Sequence, residues 1–150
     1  MLPTKQRLHT LCLTYAEKRI HAAQQAVQFF QAAANEETKS SAGDKYETGR
    51  AMAQLEIEKN SAQLAEAQKL KQRLLQLDPA KRSGHIQSGS LVTTSQGNFY
   101  IAISAGQFTL EDENYFAISP SSPLAQKLLG RNLGEQFGFN GRDFLIRGIE

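Results

Sequence analysis

The sequence predicts an α+β protein: an N-terminal antiparallel α-helical coiled-coil hairpin, then a small, mostly antiparallel β domain with one short helix. Three observations carry this reading. The first half is rich in Ala, Gln, Glu, Lys and Leu, and up to about Leu77 its only proline is Pro3; these are good helix formers. Apolar residues recur there at alternating spacings of four and three, the period of a coiled-coil seam. The second half switches to short β-type runs separated by turn signals.

The first arm spans roughly residues 5–34. Its seam reads Leu8, Cys12, Tyr15, Arg19, Ala22, Ala26, Phe29 and Ala33, interrupted only by Arg19. Asn35 to Gly43 gathers Asn, Ser and Gly, as a turn does. The second arm spans roughly residues 46–77, with a seam of Ala53, Ile57, Asn60, Leu64, Ala67, Lys71 and Leu74. Small Ala residues on both seams allow close helix approach. At about 1.5 Å rise per residue each arm is roughly 45 Å long. The domain plan is therefore a hairpin over 1–78 with its tip at about 35–47, a linker over 79–85 and a β-rich domain over 86–150.

Asp78-Pro79 stops the second arm, because the proline ring removes a donor and restricts the residue before it. Leu91–Thr94 and Phe99–Ser104 are the first strand signals, separated by Gln96-Gly97-Asn98. Phe108–Leu110 and Tyr115–Ile118 follow, separated by Glu111–Asn114. Gln136–Phe139 and Asp143–Ile146 are joined by Asn140-Gly141, a two-residue hairpin signal. One short helix interrupts them, with Ser122 as N-cap, Pro123 in the first turn, Leu124, Leu128 and Leu129 on the sheet side, and Gly130 at the end.

Composition bounds the functional classes. The chain has 150 residues, 40% hydrophobic and 21% charged, with a net charge of +2. That charge is too small by itself to imply nucleic acid. No apolar run is long enough to span a bilayer, and Met1–Leu8 lacks the apolar core of a signal peptide. A cytoplasmic location is the resulting expectation. The single cysteine, Cys12, excludes an intramolecular disulfide and fits a reducing compartment; on the apolar seam it reads as a buried, inert thiol. His9 and His21 read as helix-surface residues and His85 as part of the linker, none with a second His or Cys at ligand spacing. Gly130–Gly134 lacks the Lys-Ser/Thr of a P-loop, and no nucleophile elbow occurs.

Charge is segregated along the chain. Residues 1–34 carry Lys5, Arg7, Lys18 and Arg19 against Glu17, whereas residues 35–58 carry six carboxylates against Lys39, Lys45 and Arg50. Residues 59–85 carry six cations against Glu66 and Asp78. Folding the segment back on itself gathers the acids at one end. Within that end, Gly43-Asp44-Lys45-Tyr46-Glu47 holds two carboxylates three residues apart. Asp44 and Glu47 could share a divalent cation, since Mg²⁺ often takes only one or two protein carboxylates and draws its other ligands from elsewhere. Such a pair would complete a two-metal site on a partner that already holds phosphates and a first metal. The same spacing is a capping box, in which Asp44 and Glu47 exchange backbone hydrogen bonds. The two readings are compatible, because a capping carboxylate keeps a second oxygen free.

A helical hairpin with Gly-Asp-x-x-Glu at its tip, followed by a β-rich domain, resembles the bacterial GreA/GreB transcript cleavage factors. The segment Ser122-Pro-Leu-Ala-Gln-Lys-Leu-Leu-Gly130, continuing through Leu133-Gly-Glu-Gln-Phe137, is similar to the family's C-terminal Ser-Pro-Leu…Leu-Gly segment. The resemblance implies an FKBP-like C-terminal domain that docks on RNA polymerase near the rim of its secondary channel. It implies that the hairpin enters that channel, as a monomer. Asp44 and Glu47 would then help hold the second Mg²⁺ of the polymerase active site and a water, and the polymerase would hydrolyse its own backtracked RNA. On this reading the chain is an accessory factor rather than an enzyme. It binds no cofactor tightly, meets nascent RNA only through the elongation complex, and has no membrane partner. Two departures stand out: Lys45 lies between the two acids, and Thr48-Gly49-Arg50-Ala51 replaces the family's usual Asn-Ala-Glu-Tyr. They favour the alternative of a non-catalytic secondary-channel regulator.

Overall fold

A computed structural model of the chain describes the backbone of residues 2–39 and 43–150 and the side chains of residues 2–36 and 47–150. Two long helices come first, α1 (Thr4–Lys39) and α2 (Gly43–Leu75). Strands β1 (Leu91–Thr94), β2 (Gly97–Ile101), β3 (Gly106–Leu110) and β4 (Glu113–Ile118) follow. A short helix α3 (Pro123–Leu128) precedes β5 (Gln136–Phe139) and β6 (Arg142–Ile149). The predicted fold class is the observed one: a helical hairpin followed by a six-stranded, mostly antiparallel sheet with one short helix. No described helix is long and apolar enough to cross a membrane.

The chain forms two compact units, one of residues 1–15 and 72–150, the other of residues 16–71. In the first unit the sheet order is β3-β4-β2-β1-β6-β5, with only β2 and β4 parallel. The register places Val92 opposite Phe99 and Leu91 opposite Tyr100. Side chains alternate between faces, so these two pairs point opposite ways. Phe99 through Ile103 is nonetheless buried without a break, which requires cover on both faces of the sheet. On one face Val92, Phe99, Ile101, Phe144 and Ile146 pack with Ala125 and Leu128 of α3, and Leu124 and Leu129 pack beside them. On the other, the Tyr100 hydroxyl meets His9 of α1 at 2.8 Å.

Local chemistry explains the element ends. Arg7 N donates to Pro3 O at 3.1 Å, so Pro3 lies at the start of α1, where its missing N–H costs nothing. Leu77 N bonds Leu74 O at 3.1 Å, a tightened last turn beyond α2, and the Asp78 carboxylate accepts from Ala80 N at 3.0 Å to make the turn out. Ser122 Oγ accepts from Ala125 N at 3.3 Å as the cap of α3. Gly130 follows at φ +84°, a conformation that favours glycine. Asn140 and Gly141 adopt φ 51° and 75°, the two left-handed positions of a type I′ hairpin turn.

Several details differ from the sequence reading. First, α1 runs on through Asn35 to Lys39, because Glu36, Glu37 and Lys39 favour helix more than Asn35 opposes it. Second, β3 and β4 are joined by Glu111 and Asp112 alone, both left-handed at φ 52° and 66°, so Glu113 and Asn114 belong to the strand. Third, His9 is not on the helix surface but 7% exposed against Tyr100. Amphipathic spacing alone did not place His9 inside, because its partner is a tyrosine 91 residues away.

In the second unit the two arms run antiparallel. Glu17 pairs with Lys71 at 3.6 Å, Ala22 and Ala23 share a groove with Asn60 and Gln63, and Gln31 and Ala34 share one with Arg50 and Gln54. The predicted seam of the second arm holds: Ala53, Ala67 and Leu74 are buried, and Ile57, Asn60, Leu64 and Lys71 are partly so. The seam of the first arm slips by one residue after Cys12, passing through Ala16 and Ala23 instead of Tyr15 and Ala22. Phe29, predicted on the seam, is therefore 67% exposed.

Candidate functional site: the start of the second long helix

Glu47 is the fifth residue of α2 and is exposed. Asp44 is the second residue of the same helix; its side chain, with those of Lys45 and Tyr46, lies outside the described residues. Because α2 begins at Gly43, Asp44 stands inside the first turn rather than ahead of it. The capping hydrogen bonds expected between Asp44 and Glu47 lie outside the described residues. A carboxylate in the first turn still gains from the partial positive charge of the helix N-terminus.

A resident metal centre is a separate question. Among the described residues there is no group of three or more His, Cys, Asp or Glu side chains able to hold a metal ion. Glu47 offers carboxylate oxygens, which suit Mg²⁺. One carboxylate suffices only for a cation whose other ligands come from phosphates, water or a partner.

The groove beside this helix start carries a different chemistry. A trough of about 520 Å³ lies between the arms, lined by Phe30, Ala33, Gly49, Met52, Ala53, Leu55 and Glu56. Met52 and Leu55 are 63% and 66% exposed. The sequence reading missed this patch, because it placed Phe29 in the seam and assigned Met52 and Leu55 no role. The signal available was the alternative seam through Ala16, Ile20, Ala23, Val27 and Phe30, which leaves Phe29 outside.

In the first unit the polar groups at the foot of the helices are structural. Lys5, 6% exposed, donates from Nζ to Lys81 O at 2.6 Å. Burial lowers the pKa of its ammonium, with nearby Glu150 acting the other way. Burial likewise holds the His9 imidazole below its usual range, partly offset by Asp78. The Cys12 thiol is pushed up to about 12 by burial, which suppresses the reactive thiolate. The Tyr100 hydroxyl is also raised, first by burial and then by Cys12. Arg7 reaches Glu111 in the β3–β4 turn at 2.8 Å.

The glycine-flanked segment 130–134 makes no phosphate cradle. Gly130 N donates to Ile86 O at 2.8 Å, Gly134 N donates to Ile146 O at 2.9 Å, and Asn132 N donates to the Glu135 carboxylate. Those amides are spent inside the fold.

No family model matches the chain, and no curated protein does. One solved structure, described as "Structure of the transcription factor Gfh1", is similar at 19% sequence identity over 94% of this chain and 92% of that one, with a TM-score of 0.34. The superposition is too loose to bear on function.

Proposed function

We propose that the chain is a Gre-like transcription elongation factor. It binds RNA polymerase, inserts its helical hairpin into the secondary channel and stimulates hydrolysis of backtracked RNA by the polymerase. The observation that supports this best is Glu47, an exposed carboxylate near the start of α2 and three residues from Asp44, on an antiparallel hairpin. Delivered beside a polymerase-held Mg²⁺, these two carboxylates would ligate a second ion and orient a water. The chain supplies ligands and position; the polymerase supplies phosphates and the first metal. The N-capped helix at Ser122-Pro123 supports the same reading, since that segment carries the C-terminal part of the Gre resemblance.

The test is transcript shortening in stalled elongation complexes. Wild type should shorten the RNA, and Asp44→Asn and Glu47→Gln should each reduce the rate by at least tenfold without loss of polymerase binding. A second reading is favoured by Lys45, whose charge lies between the two acids in sequence: a secondary-channel regulator without cleavage activity. If wild type binds polymerase and shortens no RNA, and the tip variants leave its effect on transcription unchanged, that second reading replaces the first.

A further inference from the structure

Phe29, Met52 and Leu55 are the large apolar residues that stand exposed in the unit of residues 16–71, among the described residues. Met52 and Leu55 line one trough, and Phe29 adjoins it through Phe30. Phe30 from α1 and Met52 and Leu55 from α2 wall the trough, with the buried methyl of Ala53 as its floor. Gly49 contributes no side chain to fill it. Phe29 extends the patch, its ring set edge-on to Phe30 at 5.1 Å. An apolar surface of this kind, kept in contact with water, marks an interaction site. Aromatic and Met side chains are the usual anchors of such sites.

The shape selects the occupant. A trough between two antiparallel helices accepts the i, i+3, i+4, i+7 ridge of a third. A strand or loop would press unpaired backbone groups against apolar walls. The charge selects it further, because Glu56 is the charged residue of the lining. A second copy of this chain, packed two-fold on the patch, would bring two Glu56 carboxylates into one dry interface, which is costly. A helix with a Lys or Arg beside its apolar ridge would pair that carboxylate instead.

We infer that this trough docks one amphipathic helix of RNA polymerase, with an aliphatic ridge and a basic flank. The inference rests on the proposed polymerase binding and adds which surface makes the contact. Its test uses the full chain and core RNA polymerase. Met52→Asp, Leu55→Asp, the double variant and the control Ser61→Asp are compared for affinity and for melting temperature. A photo-crosslinking residue at position 52 then identifies the polymerase peptide it meets.

The double variant should lose at least tenfold in affinity with an unchanged melting temperature, and the control should lose none. Glu56→Lys should weaken binding more than Glu56→Gln, and the crosslink should map to a helix bearing Lys or Arg. If wild type binds and the double variant binds equally well, the docking inference is overturned while the proposed function stands. If wild type does not bind polymerase, the proposed function fails first. If wild type sediments as a dimer and Leu55→Asp makes it a monomer, the occupant is a second copy and the polymerase helix is wrong.

Discussion

The two compact units are built from opposite kinds of interior. In the unit of residues 1–15 and 72–150, large side chains fill the core: Leu8, Leu74, Ile86, Tyr100, Ile101, Ile103, Leu128 and Ile146 are all at most 1% exposed. In the unit of residues 16–71, the buried apolar residues among the described ones are Ala16, Ala23, Ala53 and Ala67, none of them large. Each buried methyl contributes on the order of 1 kcal/mol, whereas a large aliphatic or aromatic side chain contributes about 1.5–3 kcal/mol. The first unit is therefore held by packing, and the second by helix propensity and close approach of alanines.

Substitutions can sharpen or break this contrast. The largest effect belongs to the packed unit: Leu74→Ala should cost about 2–5 kcal/mol, because it opens a cavity at a fully buried site. Urea denaturation checks it. Next comes the alanine seam. Ala23→Leu should cost roughly 1–3 kcal/mol by overpacking, since Ala23 is 5% exposed between the arms. If Ala23→Leu instead stabilises the chain, the arms are not in close contact there and the contrast fails.

An effect of similar size is expected from Tyr100→Phe. It removes the hydroxyl 2.8 Å from His9 Nδ1 and leaves a buried ring nitrogen without that partner, at a cost of about 1–3 kcal/mol. His9→Gln in the same background should lose less than the sum of the two single changes, because the residues share one contact.

The smallest effects are in pH. Burial depresses the His9 pKa in the folded chain below 6.5, so the unfolded chain binds that proton first as pH falls. The stability His9 allows is thus full above about pH 6.5 and is lost as pH drops through the folded value. His9→Gln should flatten that acid-side decline in melting temperature. Cys12 has the opposite sign. Its pKa is raised from 9.0 to about 12, so its share of stability is full below pH 9 and lost as pH rises toward 12. Cys12→Ala should flatten that alkaline decline. At neutral pH a maleimide should label native Cys12 only as fast as the chain opens.

Much of this was legible in residue order. The switch from a four-three apolar period to short β runs separated the helices from the strands. Asp78-Pro79, Ser122-Pro123 and Asn140-Gly141 marked stops, a cap and a turn, because each acts through its own backbone and needs no distant partner. The acidic pair Asp44 and Glu47 was likewise visible, as was its place near the start of a helix.

Distant pairings were not legible. The slip of the first seam from Tyr15 to Ala16 depends on which residues the opposite arm presents, and a one-residue slip leaves Phe30 partly buried and Phe29 exposed. His9 lies inside because Tyr100 arrives from another element to accept or donate a hydrogen bond. The parallel pairing of β2 with β4, which sets β3 at the edge, follows from a crossover that no local signal encodes. The elements, their order and the chemistry available to them were set by residue order alone, since those follow from propensity, period and turn residues. The tertiary structure decided which face of each helix is dry, because burial belongs to pairs of surfaces. It thereby left Phe29, Met52 and Leu55 exposed.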